Sequence, residues 1–128
     1  MALDVGDVLP ELAVTPDRYL TARYAGASGD FNPIHIDEEF AKSVGLPGRI
    51  LHGLFTMALV ARVAADAGGG PASLKRLEVQ FRGMGVPEQE VTVTGTVASV
   101  NDGVATIHAV ATQGGKAIIR NAEADVEL

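Results

Sequence analysis

The stretch "HGLFTMALVARVAADAGGG", His52 to Gly70, constrains this chain more than any other. From Gly53 to about Ala67 it reads as a helix that is apolar on nearly every face. Such a helix is buried all round, in a bilayer or inside a protein. Arg62 and Asp66 interrupt the run, and it is too short to span a membrane. The rest of the chain therefore has to wrap it. "SLKRLEVQFRG" alternates Leu77, Val79 and Phe81 with Glu78, Gln80 and Arg82, and "EVTVTGTVASVN" is rich in Val and Thr. "VATIHAVATQG" and "KAIIRNAEADVEL" follow, set off by the hairpin turns Asn101-Asp102-Gly103 and Gly114-Gly115. The expectation is an α+β fold, one domain over residues 1–128, in which an antiparallel meander curls around a long central apolar helix.

Two shorter helices are expected before it. Thr15 can cap the first, Pro16 suits its first position, and Asp17 suits the positive end of the dipole. Tyr19, Ala22 and Ala25 recur at helical spacing, and Gly26 and Gly29 end the run. The second starts at Asp37, carries Glu38 and Glu39 in its first turn, and stops at Gly45. The absence of Cys removes disulfides, thiolate chemistry and Cys-ligated zinc, and fits a reducing cytosol. A net charge of -6 argues against non-specific binding to nucleic acid. "MALDVGDVLPEL" lacks a signal-peptide pattern, so a cytoplasmic protein with no membrane partner is expected.

Between the two helices lies "SGDFNPIHID", residues 28 to 37, a polar loop in an apolar chain. Gly, Asp, Asn and Pro are what ordinary turns contain. On that reading Asp30 only caps and His35 is a satisfied, half-buried histidine. The functional reading is that the loop holds Asp30 and His35 rigidly over a reaction. Gly29 permits a tight approach, and Pro33 keeps Asn32 extended. Asp and His can share proton transfer without a cofactor, with Asn32 bracing them. Gly53 falls in the first turn of the apolar helix, where backbone N–H groups lack intrahelical partners and can meet a developing negative charge. His52 is expected to hold the helix entry through a hydrogen bond, and His108 to be structural or solvent-facing. The three histidines show no metal-ligand spacing.

The stretch "YAGASGDFNPIHIDEEFA", Tyr24 to Ala41, resembles the signature of the MaoC-like, or (R)-specific enoyl-thioester hydratase, family. "HGLFTMAL" is similar to the start of that family's central helix, and the order of elements agrees over most of the chain. The nearest likeness is to single-domain bacterial (3R)-hydroxyacyl-thioester dehydratases. The resemblance implies a hot-dog fold and interconversion of trans-2-enoyl and (3R)-3-hydroxyacyl thioesters of coenzyme A or acyl carrier protein. It makes Asp30 and His35 the catalytic pair acting on one water. It gives the oxyanion-binding N–H to Gly53, with Asn32 beside the substrate, and it implies no metal or other cofactor. It also implies a dimer, either of two copies or with a second hot-dog subunit lacking the motif. A non-catalytic acyl-binding subunit and a thioesterase are the rival readings, since fold does not fix function.

Three further expectations attach to the resemblance. Relatives often read Phe-x-x-Pro-Val after the first strand that follows the central helix. Here "FRGMGVP" puts Met84 at the proline, which predicts a looser or differently shaped rim. Carrier phosphates call for a basic patch drawn from Arg49, Lys75, Arg76, Arg82 and Lys116. "LKRLEVQF" should form a long sheet edge that a partner covers.

Overall fold

The computed structural model describes residues 2–128. Its elements are β1 (Leu12–Val14), α1 (Leu20–Ser28), α2 (Pro33–Ile36), α3 (Glu38–Ser43), α4 (Gly53–Ala67), β2 (Leu74–Phe81), β3 (Val91–Asn101), β4 (Val104–Gln113) and β5 (Lys116–Glu127). The strands form one antiparallel sheet in the order β1-β3-β4-β5-β2. α4 packs on one face of it, the hot-dog arrangement. Leu59, Val60, Val63 and Ala64 of the helix meet Val93, Val97, Ile107, Ile119 and Val126 of the strands, all within 7% exposure. No helix among the described residues is long and apolar enough to cross a membrane.

Alternation sets the inner face of β3, where Val91, Val93, Gly95 and Val97 point at the helix. β5 departs from alternation. Ile118 and Ile119 are both buried, and the register slips around Asn121 against both neighbouring strands. Asn121 takes a left-handed φ of 51°, as an extra bulge residue can. These bulges bend the sheet around α4. Both hairpin turns match the sequence reading: Asp102-Gly103 and Gly114-Gly115 have φ of 51°, 77°, 58° and 77°.

Several expectations need correction. The strands after α4 are not a simple meander: β2 crosses to the far side of β5 and becomes an edge, because either edge satisfies its apolar pattern. β1 was not expected. α4 keeps its expected bounds but is not buried all round. Leu54, Ala58, Arg62 and Asp66, four residues apart along the helix, form an exposed stripe that the single sheet does not reach. α1 starts at Leu20 rather than at Thr15 or Pro16. Asp17 instead closes the preceding turn, accepting Tyr19 N–H at 2.7 Å and pairing with Arg23 at 2.8 Å. Gly26 lies inside the helix, and Gly29 alone ends it. The loop also contains an unforeseen helical turn, α2.

Candidate active site

The polar loop is built by short-range bonds. Gly29 ends α1 at φ 80°, a conformation that costs a glycine little, and its N–H reaches Ala25 O. Asp30 N–H donates to Ser28 Oγ at 3.2 Å, and Asp30 Oδ1 accepts Asn32 N–H at 3.2 Å. Asn32 is extended ahead of Pro33, and its Oδ1 accepts Ile34 N–H at 3.2 Å, capping α2. Its side chain therefore braces the helical turn rather than the side chains of Asp30 and His35. α2 carries His35 inward to 7% exposure, whereas the Asp30 side chain is 51% exposed.

His35 Nδ1 lies 2.9 Å from Ile50 O. A carbonyl can only accept, so Nδ1 carries the hydrogen and Nε2 of the neutral ring is left with its lone pair. That lone-pair nitrogen is 3.7 Å from Asp30 Oδ2. The gap is too long for a direct hydrogen bond and short enough for one small molecule to touch both.

His52, buried to 2% exposure, donates from Nε2 to Asp30 O at 3.0 Å. Its ring stacks on that of His35, with centroids 3.8 Å apart and planes at 18°, and Tyr24 packs on it at 4.8 Å. The hydrogen bond expected at the helix entry is thus present, and its acceptor is the backbone of Asp30. The stack between two histidines distant in sequence was not foreseen, since no local signal carries it. Gly53 opens α4 immediately after His52. Its N–H has no partner among the described residues. A Cβ there would lie 3.1 Å from the Phe81 ring, so glycine lets the ring close against the helix end.

Asp30, His35 and His52 present ligand-type atoms within 4.8 Å of one another, a grouping that linear spacing concealed. Stacked imidazoles direct their lone pairs along nearly parallel planes, so the two rings cannot both point at one ion about 2 Å from each.

The loop, α3, the start of α4 and the end of β2 with the turn after it carry exposed apolar side chains: Phe31, Ile36, Phe40, Leu54, Phe81 and Met84. The rim holding Met84 is not loose. Arg82 N–H bonds Ile118 O, Leu51 N–H bonds Gly85 O, and Glu88 N–H bonds Pro16 O. Buried Gln113 clasps both backbone groups of Val86 at 2.8 Å. The expected basic patch is mostly spent. Arg49 pairs with Glu38, whose carboxyl it holds below the usual range. Lys75 pairs with Glu127, and Arg76 with Glu78, Glu123 and Asp125. Arg82 and Lys116 have no carboxylate partner among the described residues. His108 faces outward on β4, as expected. It lines a groove of about 730 Å³ on the sheet's outer face that shares no residue with this cluster.

Residues 7–117 match the family model described as MaoC like domain. A curated relative, the fatty acid synthase β subunit TOXC of Cochliobolus carbonum, is 37% identical over 89 residues, 66% of this chain and 4% of the relative. The chain thus spans a small fraction of that relative's length. Among solved structures, the (R)-hydratase from A. caviae involved in PHA biosynthesis superposes with a TM-score of 0.89 at 25% identity, covering 99% of this chain and 98% of that one. The ChsH1–ChsH2 complex from Mycobacterium tuberculosis gives a TM-score of 0.88 at 28% identity, covering 98% of both chains.

Proposed function

Because this chain belongs to the MaoC-like hydratase/dehydratase family, we propose that it is an (R)-specific hydro-lyase interconverting trans-2-enoyl and (3R)-3-hydroxyacyl thioesters. The observation that carries this reading is the 3.7 Å gap between Asp30 Oδ2 and the lone-pair nitrogen of His35, beside the open N–H of Gly53. In hydration, a water held by both groups adds its oxygen to C3 and gives a proton to the pair. With Nδ1–H committed to Ile50, Nε2 is the His35 nitrogen able to take that proton, while the Asp30 carboxylate orients the water. The C2=C3 electrons move toward the thioester oxygen, where Gly53 N–H and the positive end of α4 meet the charge. C2 then takes a proton back from the pair, and dehydration runs the same steps in reverse. Asn32 acts by shaping α2 beneath His35. The acyl chain lies against Phe81, Leu54 and Met84, and, of the five basic residues considered, Arg82 and Lys116 are those without a carboxylate partner among the described residues and so open to the phosphates of coenzyme A or of an acyl carrier protein.

Loss of the conjugated-thioester absorbance of crotonyl-CoA on adding the protein is the expected result. No hydration of that substrate, of longer acyl-CoA esters, or of carrier-protein esters would sink the reading.

A second reading concerns the partner. The exposed apolar set and the free edge of β2 support a dimer, and the likeness to a complex of two differently named chains favours a second, different hot-dog subunit as the alternative to another copy. In its strongest form this chain is the acyl-binding partner of a catalytic subunit. Light scattering on the purified chain is expected to give a dimer. A monomer that is inactive alone and active with a co-expressed homologue would replace the homodimer with the mixed complex.

A further inference from the structure

We propose that His52 is a positioning residue: one side chain that holds both Asp30 and His35 and ties them to the N-terminus of α4. The proposal rests on the reading of that pair as the proton-handling centre. Three contacts carry it. The Nε2–H of His52 donates to Asp30 O at 3.0 Å, its ring lies on that of His35 at 3.8 Å, and its backbone O accepts Phe55 N–H at 3.1 Å one residue before Gly53.

The half-exposed Asp30 carboxylate sits on a loop, so its place depends on its own peptide groups. Its N–H is held by Ser28 Oγ at 3.2 Å and its carbonyl by His52. His35 is held at one atom, Nδ1, by Ile50 O, and a ring tethered at one atom can still tip. The flat face of His52 removes that freedom. A displacement of about 1 Å between reacting groups can cost on the order of 10²-fold in rate, so the side chain that sets the 3.7 Å gap matters for turnover.

The plainer roles for a buried histidine fit less well. His52 makes no side-chain bond to the helix it caps. As a core filler it is poor, because its buried Nδ1 has no partner among the described residues. A phenyl ring would occupy the same space without that cost. What imidazole adds is the donor on Asp30.

The test uses the full chain with His52→Phe, which keeps a flat face and loses the donor, and His52→Gln, whose amide nitrogen reaches about where Nε2 sits and loses the ring. Both are expected to lower kcat about 10-fold or more with KM within about twofold. His52→Gln should keep more activity than His52→Phe, and each substitution should cost less in an Asp30→Asn background, where one of the two groups that His52 holds is already disabled. Wild-type kcat in His52→Phe, or an undiminished effect in the Asp30→Asn background, would overturn the proposal. Failure of both variants to fold would likewise reduce His52 to scaffold and overturn it. The imidazole N–H resonance of His35, read by nuclear magnetic resonance, needs no substrate. It should move or broaden in both variants, and an unmoved signal counts against the proposal. If the wild type hydrates no thioester, the hydro-lyase reading falls, and this resonance alone decides the role of His52.

Discussion

Arg76 on β2 and His35 on α2 each gather polar neighbours, and they do so to opposite ends. The Arg76 guanidinium meets Glu78 at 2.8 Å, Asp125 at 2.8 Å and Glu123 at 3.0 Å, and Thr106 completes the bonding of Asp125 at 2.8 Å. Arg76 is held charged by these bonds. The guanidinium, followed by Thr106, keeps the Asp125 carboxyl below its usual range. Each guanidinium nitrogen there already has a carboxylate partner. At His35 one nitrogen is bonded and the other looks across 3.7 Å at a carboxylate, while the neighbouring Gly53 N–H stands open. A polar cluster with its capacity used up supports the fold. One with donors and acceptors unspent is free to receive a reactant, the role proposed for it.

The sharpest way to break this contrast is to remove the unspent groups. Asp30→Asn and His35→Ala should each lower turnover of enoyl thioesters by about 10²-fold or more while the melting transition stays cooperative. Near-wild-type turnover in both folded variants would return the loop to an ordinary turn. Gly53→Pro should come next, with a loss of at least about 10-fold, since proline is tolerated at a helix start but lacks the N–H. Gly53→Ala sharpens the point: it keeps the N–H and presses a methyl against the half-exposed Phe81 ring, so it should lose less. Equal losses in the two variants would assign the effect to packing.

On the spent side the expected changes are small. Arg76→Gln should lower Tm slightly and leave kcat and KM unchanged, because exposed ion pairs contribute little. A loss of activity there would erase the distinction. The smallest effect is in pH. The folded pKa of Asp125 lies below its ordinary value of 3.8, so its pairing stabilises the protein at pH above that value and is lost as pH falls through the lower folded value. The Tm gap between wild type and Arg76→Gln should therefore hold at neutral pH and close in acid. A gap that widens in acid would contradict the pairing.

What could be read from the sequence was what local order determines. α4 begins and ends where its apolar run does, and the two hairpins sit where Asp-Gly and Gly-Gly demand left-handed backbone. Asp30, Asn32 and His35 were visible because one loop carries all three. β1, three residues long, carries too little pattern to stand out. The neighbour of β2 is a long-range choice that its own alternation does not decide. α1 loses its first turn because Asp17 bonds the backbone just ahead of it, a competition invisible to helical spacing. His52 gave only a hint, since its contact with His35 exists once α2 and the start of α4 are folded together. The pairing of the basic residues was hidden as well: three of the five considered for phosphates pair with carboxylates on α3, on β2 itself or on the adjacent β5.

The pairing of β2 with β5 also orders events in time. β3, β4 and β5 zip through two-residue turns, but β2 is made before all three and, among the described residues, pairs with β5 alone. On a ribosome, residues 74–81 must wait until residues 116–127 have emerged, and only then can Phe81 settle against Gly53. The contact of Phe81 with the start of α4 is thus among the last parts of the chain to form. A nascent chain stalled between β4 and β5 would carry the whole polar loop and still present β2 as an unpaired template for other strands.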